Sequence, residues 1–203
     1  MRTPLSARRH ESRRSSGSRQ RVTNRQVLFI HGGGGEAYEA DGNLVRSLRG
    51  SLGTEFEVRY PEMPDGAAPE YRAWSDRISR ELSAMNGKVI LVGHSLGGSI
   101  LLKHISEQRV EKLIAGVFLI ATPYWGTLDW KVAEFELRED FPAALPEDVP
   151  IFLYHSRDDE VVPFAHLALY TGRLPRSTVR ELDGRGHQFG DDLAEVAEDM
   201  GRL

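Results

Sequence analysis

Six short apolar segments alternate with longer segments of helical periodicity, and this alternation limits the possible folds more than any other feature of the sequence. The apolar segments span residues 27–30, 56–60, 88–92, 116–120, 151–154 and 178–182. Between them apolar side chains recur at helical spacing, as Trp74, Ile78 and Leu82 do. Strands that alternate with helices of this length form parallel sheets. The pattern therefore predicts an α/β fold, a doubly wound, mostly parallel sheet of about six strands with helices on both faces.

Residues 124–149 interrupt the alternation with aromatic residues spaced among acidic ones. The segment is too short for a second domain, so we expect a minimal cap or a helix beside the binding pocket. Tyr124, Trp125 and Trp130 are candidate pocket-lining residues. Aromatic side chains of this kind belong to a core more often than to a pocket, which is the alternative interpretation.

The first 26 residues differ in composition from the rest of the chain. They contain eight arginines and one acid, a net charge of +7, which leaves −11 for the remaining residues out of a total of −4. With so few apolar side chains we expect residues 1–26 to form a disordered basic arm before a single domain over residues 27–203. A transit peptide, a charged contact with nucleic acid or membrane, and an inert extension are the three interpretations. The lack of an amphipathic helical pattern favours the inert extension.

Composition excludes several classes of function. The chain has no cysteine, so it has no disulfide, no cysteine metal ligand and no cysteine nucleophile, and a reducing, cytoplasmic location is expected. No apolar run approaches the roughly 18 residues that a membrane span requires. The acidic domain offers no general nucleic-acid-binding surface. No His-Glu-x-x-His motif is present, so we expect neither a metal nor a cofactor.

Residues 93–97 read Gly-His-Ser-Leu-Gly and match the pattern G-x-S-x-G. Five residues alone carry little information, but here the apolar strand at 89–92 leads directly into them and an apolar-faced helix follows directly. This strand–turn–helix setting is that of a nucleophile elbow. The alternative is an ordinary glycine-rich turn between a strand and a helix.

Ser95 is the candidate nucleophile of this turn. An elbow strains the backbone of its serine, and glycines two residues before and after it avoid the collisions that Cβ atoms would cause. The serine hydroxyl then lies at a helix N-terminus, where the helix dipole favours negative charge. The backbone N–H of Leu96 points to the same place and is a candidate oxyanion donor.

A serine hydroxyl needs a base to remove its proton, and that base is normally a histidine held by an acid. In this type of fold the chain order is serine, acid, histidine. His187 follows the last predicted strand and fits that order, whereas His155 precedes the candidate acids and His166 falls in a predicted helix. The alternative for His187 is a solvent-exposed loop histidine.

Three adjacent acids, Asp158, Asp159 and Glu160, follow the fifth predicted strand, where the acid of such a triad belongs. Each could instead cap a helix or lie in solvent. Spacing alone leaves all three open.

A glycine-rich loop, His-Gly-Gly-Gly-Gly at residues 31–35, follows the first predicted strand. Glycines allow a backbone N–H to approach a substrate carbonyl closely. Gly33 is the candidate for the second oxyanion donor and Gly34 is the alternative, while His31 is expected to support the loop. Neither phosphate-binding pattern, G-x-x-x-x-G-K-[ST] or G-x-G-x-x-G, is present here.

With these elements together, the chain resembles the α/β-hydrolase superfamily, and more closely the small serine hydrolases related to retinoblastoma-binding protein 9 and the YdeN-type proteins. The resemblance covers about residues 26–200 and is most specific over residues 156–163, Ser-Arg-Asp-Asp-Glu-Val-Val-Pro. It implies that the second Asp of that segment, Asp159, is the triad acid and that His187 is the base. The glycine loop departs from the family, since relatives have a shorter one.

The residues and the resemblance together predict a serine hydrolase that acts through Ser95, His187 and Asp159 and an acyl-enzyme intermediate. A small carboxylic ester is the expected substrate. The alternatives are a thioesterase, and a protein-interaction module on a hydrolase scaffold with weak or no catalysis. The sequence does not indicate an oligomeric state.

Overall fold

Six parallel strands form one sheet in the computed structural model, which describes residues 24–127 and 130–203. The strands are β1 (Arg25–Ile30), β2 (Phe56–Arg59), β3 (Val89–His94), β4 (Ile114–Ile120), β5 (Ile151–Ser156) and β6 (Thr178–Leu182). They lie in the order β2-β1-β3-β4-β5-β6, and every neighbouring pair is parallel. This confirms the predicted α/β class. The expected basic arm, apart from its last three residues, lies outside the described residues.

Helices cover both faces of the sheet. They are α1 (Ala37–Leu52), α2 (Tyr71–Ala84), α3 (Leu96–Glu107), the single turn α4 (Phe141–Ala144), α5 (Ala165–Arg173) and α6 (Ala194–Gly201). The apolar side chains of α1 and α6 belong to the core on one face, and those of α2, α3, α4 and α5 belong to the core on the other. Among the described residues, no helix is long and apolar enough to span a lipid bilayer.

Strand β1 shows why the strands read as continuous apolar runs rather than as alternating ones. Val27 and Phe29 point into the core beneath α1 and α6, while Leu28 and Ile30 point into the core on the opposite face. All four side chains are fully buried. A parallel sheet that is covered on both faces requires apolar residues at successive positions.

The described part of the segment between β4 and β5 forms no further layer. It contains an isolated bridge between Thr127 and Trp130, one short helical turn at Ala133–Phe135, and α4. Trp125 packs against both Trp130 and Phe135 with ring centroids 5.1 Å apart. The segment is therefore a small aromatic cluster beside the sheet, as the predicted minimal cap requires.

His104 in α3 provides a test of this packing. Its side chain is 1% exposed, and its Nδ1 lies 2.8 Å from the hydroxyl of Ser75 in α2. Burial lowers the pKa of His104 from 6.5 to about 4. As the pH falls, His104 therefore binds a proton in the unfolded chain at a higher pH than in the folded chain. The contribution of neutral His104 to the free energy of unfolding is fully present above about pH 6.5 and is lost as the pH falls towards 4.

Between pH 7 and pH 5 we expect protonation of His104 to remove about 2 kcal/mol from the free energy of unfolding. Urea unfolding of the natural protein and of a His104→Gln variant at both pH values measures this contribution. Glutamine does not titrate, so the variant should lose about 2 kcal/mol less over the interval. Equal losses in the two proteins would contradict the assignment.

Candidate active site

Ser95 lies in a sharp turn between the end of β3 and the start of α3. Its backbone φ is 50° and its ψ is −127°, a strained conformation for a residue other than glycine. The Ser95 N–H donates a hydrogen bond of 2.8 Å to the carbonyl of Ile120 at the end of β4. The serine is thus held at the carboxyl edge of the sheet by its own backbone.

The two glycines of the turn allow a close approach of backbone segments. A Cβ atom at Gly97 would collide with the carbonyl oxygens of Ile30 and His31 at the end of β1, and one at Gly93 would lie 2.6 Å from the backbone nitrogen of Gly98. Real Cβ atoms do not approach so closely, so larger residues would force the turn apart. This is the geometry of a nucleophile elbow.

His187 and Asp159 are paired close to this turn. The Nδ1 of His187 lies 2.9 Å from Oδ2 and 3.0 Å from Oδ1 of Asp159, and the His187 side chain is 8% exposed. Burial raises the pKa of Asp159, but hydrogen bonds from His155, His187 and the N–H of Val162 outweigh this and hold it well below its ordinary value. Since the carboxylate is ionised, Nδ1 donates to it, which leaves Nε2 of His187 free to accept a proton.

His187 lies against the residue that precedes Ser95. The His187 ring lies 4.8 Å, centroid to centroid, from the ring of His94, the residue before Ser95. Among the described residues no hydrogen bond joins the Ser95 hydroxyl to His187. Catalytic hydrogen bonds are often long before substrate binds and tighten in the Michaelis complex. The contact between Asp159 and His187 is formed, at 2.9 Å, and it is the only one of the two contacts of the expected triad that is present among the described residues.

All three candidate acids hold the loop that contains His187, but only one of them contacts its imidazole. Asp158 accepts hydrogen bonds from the Ser156 hydroxyl and from the N–H of Arg185, the latter at 3.2 Å. Glu160 accepts the N–H of His187 at 3.1 Å. Asp159 alone is positioned to orient the imidazole, and its two neighbours fix the backbone that carries it. His155 also lies against Asp159, with its Nε2 3.3 Å from Oδ2.

The glycine loop lies against the start of α3. A Cβ atom at Gly33 would be 2.6 Å from Cδ2 of Leu96, so the two segments touch. Gly34 donates its N–H to the carbonyl of Gly66 at 2.7 Å, whereas the N–H groups of Gly33 and Leu96 have no hydrogen-bond partner in the part of the chain that the structure describes. Of the two glycine candidates, Gly33 therefore has the free donor.

His31 orients the peptide that carries that donor. Its Nε2 accepts the N–H of Met63 at 2.9 Å, so its Nδ1 carries a proton and donates to the carbonyl of Gly32 at 2.7 Å. Burial lowers the pKa of His31, which keeps this neutral form. In a trans peptide the N–H points opposite to the carbonyl, so fixing the Gly32 carbonyl directs the N–H of Gly33 away from His31.

Sequence reasoning missed two buried residues of the site, His94 and Asp41. The Nδ1 of His94 lies 2.8 Å from Oδ2 of Asp41, and the same carboxylate oxygen accepts the N–H of Gly32 at 2.8 Å. His94 occupies a position of the G-x-S-x-G pattern that any residue can fill. The available signal was Asp41 itself, a single acid on the apolar helical face that contains Leu44 and Val45.

The candidate pocket residues lie in the aromatic cluster after β4. Tyr124 donates its N–H to Nδ1 of His166 at 2.8 Å and packs its ring against Tyr170, while Trp130 packs against the ring of His166. His166 lies in α5, as predicted, and its Nδ1 is occupied by this contact. Among the described residues no group of three or more His, Asp and Glu side chains is placed to hold a metal ion.

A family model described as serine hydrolase matches residues 46–191. Among solved structures, the chain is similar to the ydeN gene product from B. subtilis, with a TM-score of 0.71 at 21% identity over 88% of this chain and 98% of that one. It is similar to CarC, a serine hydrolase involved in carbazole degradation, with a TM-score of 0.67 at 19% identity over 89% and 90%. SOBER1 from Arabidopsis thaliana gives 0.66 at 16% identity over 88% and 98%. No curated protein matches the chain.

Proposed function

The chain belongs to the serine hydrolase family, and on that premise we propose that it is a carboxylesterase that hydrolyses small esters with Ser95 as nucleophile, His187 as base and Asp159 as orienting acid. One observation carries the proposal above all others. An ionised, buried Asp159 bonds Nδ1 of His187 at 2.9 Å at the edge of the sheet where the elbow holds Ser95. The carboxylate selects the imidazole tautomer that can take a proton from the serine.

The proposed reaction has two acyl-transfer steps. Nε2 of His187 takes the hydroxyl proton as the Ser95 oxygen forms a bond to the ester carbonyl carbon. The tetrahedral intermediate collapses when His187 returns that proton to the departing alcohol. Water then attacks the acyl-enzyme and gives its proton to His187, which passes it to Ser95 as the carboxylic acid leaves.

The free N–H groups of Gly33 and Leu96 are the proposed oxyanion hole. Both lie next to Ser95, since the Cβ position of the preceding glycine, Gly32, is 3.3 Å from Cβ of the serine. Two preorganised donors stabilise the negative charge that develops on the carbonyl oxygen in the transition state. Gly33 is preferred to Gly34 because the N–H of Gly34 already has a partner.

A small ester fits the scaffold better than a long or polymeric substrate. The described part of the segment 124–149 forms an aromatic cluster, and Tyr124, Trp125 and Trp130 are proposed as the wall of a short acyl pocket. An apolar cavity of about 410 Å³, lined by Leu145, Leu174 and others, opens instead near the first residue of β5. That is the amino edge of the sheet, remote from Ser95, so this cavity is not part of the proposed site.

Covalent labelling tests the proposal directly. A fluorophosphonate should form one adduct per chain on the peptide that contains Ser95, as mass spectrometry would show, and the protein should hydrolyse short p-nitrophenyl esters. Matched esters and thioesters of increasing acyl length then measure the preference, with short esters expected to give the highest kcat/KM. A protein that folds but neither forms an adduct nor hydrolyses any substrate would instead be an interaction module on a hydrolase scaffold.

A further inference from the structure

His94 and Asp41 form a pair beneath the proposed catalytic residues that no step of the reaction uses. Their side chains are 1% and 0% exposed, and the Nδ1 of His94 lies 2.8 Å from Oδ2 of Asp41. The pair has two further contacts. Asp41 accepts the N–H of Gly32 at 2.8 Å, and Nε2 of His94 lies 3.0 Å from the backbone carbonyl of His187.

These contacts determine the protonation of the His94 ring. One nitrogen faces a carboxylate and the other faces a carbonyl, and a carbonyl oxygen can only accept. Both ring nitrogens of His94 therefore donate, so the ring is an imidazolium whose counterion is Asp41. Complete burial lowers the pKa of His94, but the Asp41 carboxylate outweighs it and, with the carbonyl of His187 and the charge of Asp159, raises the pKa above its ordinary value.

We propose that His94 and Asp41 are positioning residues that fix the proposed base and the oxyanion loop relative to Ser95. The inference rests on the proposed function, since it concerns the geometry of the same site. His94 is the last residue of β3 and precedes Ser95 in the chain. One nitrogen of His94 contacts the loop of His187, and the other contacts Asp41. Asp41 in turn binds Gly32 of the oxyanion loop.

Stability alone does not account for such a pair. Two buried charges lose their hydration, and replacing a buried ion pair with apolar residues is often neutral or stabilising. The pair instead connects three segments that are far apart in the chain, α1, the elbow and the loop after β6. Errors of about 1 Å in the placement of catalytic groups can reduce rates by about 100-fold, so a rigid connection between them has a direct effect on turnover.

Two double variants that differ by one methylene group test the proposal. Asp41→Asn removes the buried charge in both, so neither leaves an unpaired carboxylate. With His94→Gln the amide can reach the position of Nε2 and still donate to the carbonyl of His187. With His94→Asn the amide can reach only the position of Nδ1, so it bonds residue 41 and loses the contact with His187.

We expect kcat for a short ester to be at least about tenfold lower in Asp41→Asn/His94→Asn than in Asp41→Asn/His94→Gln, with KM within about twofold. The rate of fluorophosphonate labelling should fall in parallel. A His104→Gln variant, which removes an equally buried histidine, 1% exposed, controls for loss of a core imidazole and should keep the kcat of the natural protein.

Nitrogen NMR of histidine-labelled natural protein gives a second readout. Both nitrogens of His94 should stay protonated to a higher pH than those of an ordinary histidine, whose pKa is about 6.5. A His94 ring that loses its proton at or below that pH, equal kcat in the two double variants, or losses of kcat that only follow the melting temperature would overturn the proposal. Natural protein that does not label at all would instead refute the proposed function, so the two failures are distinguishable.

Discussion

Ser95→Ala is expected to lower kcat for a short p-nitrophenyl ester by about 10⁴-fold or more. Alanine has no oxygen to form the acyl-enzyme, so only the oxyanion donors and substrate binding would remain to accelerate attack by water. Labelling by a fluorophosphonate should disappear in the same variant. Assays of ester hydrolysis with purified protein measure the first effect, and mass spectrometry of the labelled chain measures the second.

Ser106→Ala is the matched control for this variant. Ser106 lies in the same helix, α3, is partly buried, and donates its hydroxyl to the carbonyl of Lys103 at 2.9 Å. It should keep both turnover and labelling. If the Ser95→Ala protein were still labelled, Ser95 would not be the nucleophile, whatever the effect of the substitution on turnover.

Asp159→Asn should lower kcat by about 10³- to 10⁴-fold, whereas Asp158→Asn should lower it less than about tenfold. Asparagine can keep one oxygen to accept the N–H groups of Val161 and Val162, which Oδ1 of Asp159 binds at 2.9 and 2.8 Å. Its NH₂ then faces Nδ1 of His187 and stabilises the tautomer whose Nε2 carries the proton. That tautomer cannot act as a base towards Ser95.

The adjacent acid serves as the control because it differs from Asp159 by one position only. Asp158 binds the backbone of the His187 loop without contacting the imidazole, so its loss loosens the loop and leaves the tautomer unchanged. Circular dichroism and melting temperatures should show both variants folded. A larger loss of kcat in Asp158→Asn than in Asp159→Asn would show that Asp159 is not the orienting acid.

The sheet was predictable because its strands are buried on both faces. The run at 89–92 is apolar at every position, and the structure places each of these side chains in one of the two cores. Strand ends were less predictable. β5 continues to Ser156, two residues beyond the apolar run, because polar His155 and Ser156 still pair with β6. Hydropathy carries no signal for a pairing that backbone hydrogen bonds maintain.

The parts of the site also differ in how well the sequence predicts them. The elbow is local, since the residues that form it are consecutive, and the pattern of residues 93–97 predicted it together with the apolar strand before it and the apolar-faced helix after it. The choice among three adjacent acids depended on the resemblance to a family, because one residue of register decides which carboxylate reaches His187. The pair of His94 and Asp41 joins positions 53 residues apart, and only the packing of α1 brings them together.

The order of the strands explains where a crevice forms above the sheet. β1 and β3 are neighbours, yet the chain leaves β1 for α1 on one face and leaves β3 for α3 on the other. At such a topological switch point the two connections diverge and leave a gap beyond the carboxyl ends of the strands. Gly33 follows β1 and Ser95 follows β3, so both lie at this switch point. The position of the gap follows from the winding of the chain rather than from any side chain. For the proposed esterase, we therefore expect changes in the segment 124–149 to alter which acyl group fits without moving the place where it reacts.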